Sequence, residues 1–241
     1  LGINEKKQTV KVSITIEEGS PVLTDSISLQ ILGWLENFNT DSLLRKISGK
    51  LNLTKGKRFR DEAVLQDVRY IADVFRSLGY AYATADYQLN LQPEKFTTSI
   101  DYTIQPGPQS HVGKTMISGN KHVSEEFIRK QLKYREGDVY NQSELDKTRQ
   151  NLYSLQRFRI VSVIPERDNE TRKSPIPVNI SIEEAPRLST RFGAGYGTED
   201  KFRTFAELNY RGFLGGARQL NLYAKHSALE PYSIRLRWVQ P

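Results

Sequence analysis

One pattern occurs twice in this sequence, and it limits the possible fold more than any other feature. The downstream copy alternates apolar with polar residues and then reaches a proline, at Val178, Ile180, Ile182 and Pro186. The upstream copy lies 78 residues earlier, at Ile100, Tyr102, Ile104 and Pro108. A third trace before Gly19, with Val12, Ile14 and Ile16, indicates that the chain opens on the tail of an earlier unit. A repeat of this period predicts an array of similar domains.

The first repeat is predicted to contain a strand, two helices and two further strands. Alternation around Leu29 indicates a half-buried strand, and Asn39 is a helix-capping residue ahead of a short apolar stripe. From Asp61 the apolar residues fall at helical spacing as far as Gly79, where a helix would stop. The period then changes from that of a helix to that of a strand, which predicts a strand over residues 83–91 and a partner strand after it.

The second repeat is predicted to have the same order of elements. A helix is expected after Ser124, and Asn141 with Glu144 resembles a capping box that opens a second helix. Strands over residues 158–164 and 177–183 close the unit. In each repeat one face of the sheet would be buried under two helices, which is an α+β layer arrangement.

From Leu188 onward the helical period is absent, and four segments of about ten residues alternate apolar with polar residues. Such segments are typical of transmembrane β-barrels, whose apolar side faces lipid. Aromatic residues near the segment ends would suit the interfacial girdle of such a barrel, at Tyr196, Tyr210, Tyr232 and Trp238. An ordinary antiparallel sheet with one solvated face is the alternative interpretation of the same period.

Charge and hydropathy argue against two classes of protein, those that bind nucleic acid and those that cross a membrane with helices. The net charge of +7 is scattered, with no run of five or six like charges, so a nucleic-acid role has little support. No apolar run of about 18 residues predicts a transmembrane helix. No signal peptide is recognisable, and we expect the sequence to be a piece of a longer protein.

The candidate catalytic and metal-ligating residues are few. Cysteine is absent, which excludes disulfides and thiolate metal sites. His111, His122 and His226 lie far apart, without a second ligand at metal spacing. Glu183 and Glu184 are neighbours on a predicted strand and would point to opposite faces, so they make a poor acid–base pair. We therefore expect no enzyme activity and no cofactor.

Two stretches of the chain resemble known families. GNKHVSEEFIRKQLKYREGDVY, followed by RFRIVSV and VNISIEEAP, resembles a polypeptide-transport-associated (POTRA) domain. RFGAGYGTEDKFRTFAELNYRGFLGGARQLNLYAK is similar to the first barrel strands of the BamA/TamA superfamily. The resemblance implies the last strand of a preceding POTRA domain at residues 1–19, complete POTRA domains at 20–108 and 109–186, and the first four strands of an incomplete transmembrane β-barrel at 187–241.

The resemblance implies an assembly factor that inserts and folds β-barrel proteins in the outer membrane, with its POTRA domains in the periplasm. Its partners would be unfolded outer-membrane proteins, periplasmic chaperones, accessory lipoproteins and outer-membrane lipid, and it would use neither nucleic acid nor a cofactor. A TamA-like or secretion-type translocation pore is one alternative. A periplasmic POTRA adaptor that only binds partners is another, although an adaptor has no use for four membrane-type strands.

The resemblance also implies where clients bind. In the family the second strand of each POTRA domain lies at a sheet edge and can pair with an extended client by β-augmentation. Here the first edge would comprise Ala83, Thr84, Ala85, Asp86, Tyr87, Gln88 and Leu89, and the second Arg159, Ile160, Val161, Ser162 and Val163. The alternative is that neighbouring segments cap both edges.

Two further features come from the barrel-like region. One half of a lateral gate would be the first strand, with Leu188, Thr190, Phe192, Ala194 and Tyr196. Arg211-Gly212-Phe213 matches the letters of a motif that the family carries in a lid loop late in the barrel. Because it lies here between the second and third segments, we expect only a turn or strand-end role for it.

Overall fold

The computed structural model describes residues 2–4, 9–11, 19–33, 39–199, 201–213 and 217–240. The chain divides into two compact units. The first unit comprises Leu1–Ala72 and Thr84–Gln105, and the second comprises Asp73–Ala83 and Pro106–Pro241. The predicted strand near the start of the chain is described only in part, because residues 12–18 lie outside the described residues.

The first unit contains a three-stranded sheet and two helices in the predicted order. Its elements are β1 (Gly2–Asn4), β2 (Thr9–Lys11), β3 (Leu23–Ile31), α1 (Thr40–Ser48), most of α2 (Asp61–Arg76), β4 (Thr84–Gln92) and β5 (Thr97–Gln105). Strands β1 and β2 form a separate antiparallel pair. In the main sheet the strand order is β3-β5-β4, with β3 parallel and β4 antiparallel to the central β5.

Local sequence explains where the helices of this unit begin and which side they bury. The side chain of Asn39 accepts a hydrogen bond from the Ser42 backbone N–H at 3.0 Å, as a helix cap does. In α2 the residues at helical spacing, such as Val64 and Ile71, are buried. The core is completed by the alternate residues of β5, which are Ile100, Tyr102 and Ile104.

The second repeat has the same order of elements within the second unit. They are β6 (Val112–Ser118), α3 (Glu125–Arg129), α4 (Gln142–Ser154), β7 (Phe158–Pro165) and β8 (Ile176–Glu184). The strand order is β6-β8-β7, again with one parallel and one antiparallel pair. Ser124 caps α3 and Asn141 caps α4, as predicted. The α+β order expected of both repeats is confirmed.

The last four strands form an antiparallel meander in the second unit. They are β9 (Leu188–Gly197), β10 (Lys201–Arg211), β11 (Gln219–His226) and β12 (Ser233–Val239). The sheet is open, with β9 and β12 at its two edges, so the incomplete barrel stays a prediction. Among the described residues, no helix has the length and apolar character needed to cross a bilayer.

Candidate functional site

Strand β4 is an edge strand with two different faces. It pairs with β5 on one side, and no described strand pairs with its other side. Because Leu89 lies opposite the buried Ile100, its side chain is on the helix-covered face of the sheet. That face of β4 is incompletely covered, since Tyr87 is 39%, Leu89 37% and Leu91 55% exposed. The opposite face carries only polar residues, which are Thr84, Asp86, Gln88, Asn90 and Gln92.

Strand β7 is the corresponding edge of the second repeat. Val161 and Val163 pack against the buried core of this repeat, opposite Ile182 and Ile180 of β8. The other face of β7 differs from that of β4, because its isoleucines are exposed, Ile160 by 53% and Ile164 by 59%. An edge strand that leaves apolar side chains exposed is a site for pairing with another chain.

A groove lies between α4 and the start of β7. It has a volume of about 390 Å³ and is lined by Arg149, Gln150, Tyr153, Arg159, Ile160 and Val161. Tyr153 is 62% exposed. The groove lining thus combines apolar side chains with two arginines, of which Arg159 pairs with Glu183 and Arg149 lies 3.6 Å from Asp146. This arrangement could accept an extended segment beside the strand edge.

The four-stranded sheet has an apolar face that is open to the surroundings. Residues that lie opposite each other in the ladders share a face, and on one side of all four strands these rows are mostly apolar. Large side chains on that face are more than half exposed, at Leu188, Phe192, Tyr196, Phe202, Tyr232, Ile234, Leu236 and Trp238. A water-soluble protein rarely leaves so large an apolar surface uncovered, so this face indicates contact with lipid or with a partner.

The other face of this sheet carries a connected polar network. The carboxylate of Glu207 accepts hydrogen bonds from Arg191 of β9, from Asn209 of β10 at 3.0 Å and from Asn221 of β11 at 2.9 Å. The guanidinium of Arg235 lies 5.0 Å from the ring centre of Tyr223. Most polar residues thus lie on one face and most apolar residues on the other, as the alternation of the sequence predicts.

The glycines of β9 make room for side chains of β10. A Cβ at Gly193 would lie 2.2 Å from the ring of Phe205, the residue directly opposite it. At Gly195 the nearest atom would be the Nε of Arg203, at 3.2 Å. The aromatic ring of Phe205 therefore covers Gly193, where a larger residue would collide with it.

Glu184 is a partly buried carboxylate whose hydrogen-bonding role was not predicted from the sequence. Its Oε1 accepts hydrogen bonds from three consecutive backbone N–H groups, those of Lys121 at 2.7 Å, His122 at 2.8 Å and Val123 at 2.9 Å. Burial alone would raise the pKa of Glu184, but these bonds and the His122 ring lower it to about 2. Glu184 therefore fixes the turn before α3. Nothing in a Glu-Glu pair at a strand end distinguishes this role from solvent exposure.

The predicted site residues lie as follows. Ala83 is buried one residue before β4, and the residues from Thr84 to Leu89 lie in β4. Those from Arg159 to Val163 all lie in β7, and the proposed gate residues all lie in β9. Their roles in client binding and gating stay predictions. Arg211, Gly212 and Phe213 end β10 and begin the following turn, in line with the strand-end role. The groove residues on α4 were missed, and the only signal was an aromatic residue, Tyr153, on a polar helix.

Comparison with protein families and curated proteins gives consistent results. The family model POTRA, described as surface antigen variable number repeat, matches residues 28–107 and 110–185. The chain is 23% identical over 239 residues to a Treponema pallidum protein named for outer membrane protein assembly, covering 97% of this chain and 27% of that protein. It is 22% identical to the outer membrane protein assembly factor BamA of Neisseria meningitidis, covering 93% of this chain and 27% of that protein. The chain thus spans about a quarter of the length of these relatives.

A solved structure shares the fold over most of the chain. BamA from Haemophilus ducreyi lacking POTRA domains 1–3 superposes with a TM-score of 0.61 at 20% identity, covering 89% of this chain and 39% of that one. POTRA domains 3–5 of BamA from Haemophilus influenzae superpose with a TM-score of 0.55 at 17% identity, covering 68% of this chain and 61% of that one. At this level of identity the likeness establishes the fold alone.

Proposed function

This chain belongs to the POTRA family, within the BamA/TamA superfamily, and from this premise we propose that it is part of an outer-membrane protein assembly factor. Its two repeats would lie in the periplasm and its last four strands in the outer membrane. Unfolded outer-membrane proteins would be its clients, brought by periplasmic chaperones, and accessory lipoproteins would bind the same periplasmic part. Its work would be non-covalent, without a cofactor.

The observation that carries this proposal is the two-faced edge of β4. A client strand added to that edge would gain backbone hydrogen bonds, which do not depend on its sequence. Its side chains would alternate between the face of Tyr87, Leu89 and Leu91 and the polar face of Gln88 and Asn90. A strand that alternates apolar with polar residues satisfies both faces, and this is the pattern of transmembrane β-strands. The edge would therefore favour such clients over segments without the alternation.

The groove beside β7 supports a second place of capture. An added strand there would lie next to Tyr153 and Ile160, and Arg149 and Arg159 line the same groove. Two edges on successive repeats would let one unfolded chain contact the protein twice, which raises its overall affinity without any single strong contact.

The open sheet supports the membrane part of the proposal. The ten residues of β9 extend about 30 Å at about 3.3 Å per residue, and a tilt of about 40° reduces this to about 23 Å. The apolar band of transmembrane barrels is about 25 Å tall. Exposed aromatic side chains flank the band, with Tyr196 and Tyr232 at one end of the strands and Trp238 at the other. This surface favours an assembly factor over an adaptor that only binds partners.

The proposal is tested with two synthetic peptides of equal composition. One alternates apolar and polar residues over ten positions, and the other has the same residues in an order that breaks the alternation. Binding is measured by fluorescence anisotropy, and hydrogen exchange reports protection of β4 and β7 separately. We expect the alternating peptide to bind more tightly and to protect the amides of the two edge strands.

A pair of lysine variants in β4 provides the control. Leu89→Lys places a charge on the apolar face of the edge and should remove the protection of β4, with affinity lower by about tenfold, or about 1.4 kcal/mol. Gln88→Lys adds the same charge to the polar face of the same strand and should leave binding unchanged. Equal binding of both peptides, or protection of neither edge, would contradict the proposal.

A further inference from the structure

Arg157 is a buried arginine between the end of α4 and the start of β7. Its side chain is only 7% exposed. Burial lowers the pKa of the guanidinium, which Glu184 opposes and the nearby Arg187 and Arg211 reinforce. Within the described residues, the Nε atom has no hydrogen-bond partner. Burying a charged group in this way costs free energy, so a specific packing role is needed to explain it.

The guanidinium of Arg157 packs on the turn that follows β10. Gly212 in that turn has φ +77°, a conformation that favours glycine. A Cβ at Gly212 would lie 1.8 Å from Nη1 of Arg157, so the guanidinium occupies the space that any larger residue would need. The arginine and the glycine are therefore complementary, and each restricts the residue that the other position accepts.

One hydrogen bond joins the same two segments, from Gln219 Nε2 to the Leu155 carbonyl at 3.3 Å. Ala217 of the same turn belongs to the buried core of the second repeat. Gln156 has φ +54°, which non-glycine residues adopt only where the surrounding structure holds them. Residues of both segments thus contribute to the contact between the second repeat and the turn after β10.

We propose that Arg157 is a positioning residue that locks the start of β7 onto the turn after β10. It would set the angle between the second repeat and the four-stranded sheet. The inference rests on the proposed function in one respect, because passing a client from the edge of β7 to the edge of β9 requires a fixed geometry between them. Arg157 then packs against the segment Arg211-Gly212-Phe213.

Distance measurements between spin labels test this role directly. The chain has no cysteine, so two introduced cysteines can be labelled uniquely. Suitable exposed positions are Lys147 on α4 and Leu229 in the turn between β11 and β12. We expect the labelled protein to give one narrow distance distribution, and Arg157→Ala and Gly212→Ala each to broaden it by about twofold, because a weakened connection permits relative motion. Arg135→Ala, which removes an exposed arginine of the same repeat, should change nothing.

A double variant separates positioning from a general structural role. If Arg157 and Gly212 act on each other, Gly212→Ala should add little broadening once Arg157→Ala has removed the guanidinium. Hydrogen exchange of β6 and β8 shows whether the second repeat remains folded. If Arg157→Ala unfolds that repeat, the distance distribution of Gly212→Ala tests the positioning role instead. Distributions as narrow as that of the parent in both single variants would overturn the inference.

The peptide experiment distinguishes this inference from the proposed function. Arg157→Ala should leave peptide protection of β4 unchanged, because β4 lies in the first unit and Arg157 in the second. If the parent protein did not bind the peptide, the proposed function would be contradicted, but the distance result would not be affected. A narrow distribution in the variants together with normal capture would contradict the positioning role alone.

Discussion

The two repeats contain an equivalent turn, but different buried side chains accept hydrogen bonds from it. In the first repeat Asp67 of α2 is fully buried, and its carboxylate accepts hydrogen bonds from the backbone N–H groups of Asn52 at 2.7 Å and Leu53 at 3.1 Å. The hydroxyl of Tyr102 donates to the same carboxylate at 3.3 Å. Burial, together with the Asp67 charge, raises the pKa of Tyr102, so this hydroxyl keeps its proton and remains a donor.

In the second repeat a neutral residue takes this place. Thr148 lies 81 positions after Asp67, and its hydroxyl accepts a hydrogen bond from the backbone N–H of Lys133 at 2.9 Å while donating to the Glu144 carbonyl at 2.9 Å. Lys133 likewise lies 81 positions after Asn52. In both repeats a side chain of the second helix therefore accepts a hydrogen bond from the same backbone N–H, but the acceptor is a carboxylate in the first repeat and a hydroxyl in the second.

The largest effect is expected when the two acceptors are removed in turn. Asp67→Ala leaves two backbone donors and the Tyr102 hydroxyl unsatisfied in the core, so it should destabilise the first repeat by about 3–4 kcal/mol. Thr148→Val leaves one backbone donor unsatisfied and should cost the second repeat about 1–2 kcal/mol. Hydrogen exchange under increasing urea, followed separately in β5 and β8, measures both losses. Equal losses would show that the carboxylate network adds nothing beyond the shared bond.

The next effect concerns pH and should occur in the second repeat alone. Position 184 corresponds to Pro106 in the first repeat at the 78-residue offset, so the Glu184 carboxylate has no counterpart there. Its pKa is lowered from an ordinary value of 4.5 to about 2. A carboxyl group whose pKa is lowered on folding contributes stability above pH 4.5, and that stability is lost as the pH falls toward 2.

Glu184→Gln tests this difference between the repeats. The variant should lose at most about 3 kcal/mol near neutral pH, which is the stability equivalent of the lowered pKa. The stability of its second repeat should then change little between pH 5 and 2, except for losses that the first repeat also shows. Protection factors of β8 and β5 at each pH provide the measurement. A loss of stability in acid that Glu184→Gln does not reduce would assign the effect to other carboxyl groups.

Sequence periodicity predicted most of the fold. Helix α2 was predicted from its apolar spacing, and Asn39, Ser124 and Asn141 marked the starts of three helices because a cap acts within one turn of the chain. Strand order could not be derived from the residues, because β4 and β7 become edge strands only through the parallel pairing of the flanking strands. The resemblance to POTRA domains supplied that topology, and the structure agrees with it.

The buried polar residues were harder to predict. Asp67 lies on the same helical face as Val64 and Ile71, and a carboxylate within an apolar stripe was the available signal. Arg157 and Gly212 gave no joint signal, because they are distant in sequence and meet only when the turn after β10 packs on the second repeat. Contacts that depend on tertiary packing leave no periodic pattern along the chain.

The smallest effect is expected at the N-terminal caps of α2 and α4, the second helices of the two repeats. The carbonyl of Arg60 accepts the first intrahelical bonds of α2, so Arg60 occupies the capping position that Asn141 fills before α4. Arginine cannot accept a hydrogen bond from the helix N-terminus, whereas asparagine does. Arg60→Asn should therefore stabilise the first repeat by about 0.5–1 kcal/mol, and Asn141→Ala should destabilise the second by about 1 kcal/mol. Urea unfolding followed in each repeat measures both changes. If Arg60→Asn were neutral while Asn141→Ala was costly, the side chain of Arg60 would have to contribute a compensating interaction in the first repeat, and Arg60→Ala would reveal it as a loss of stability.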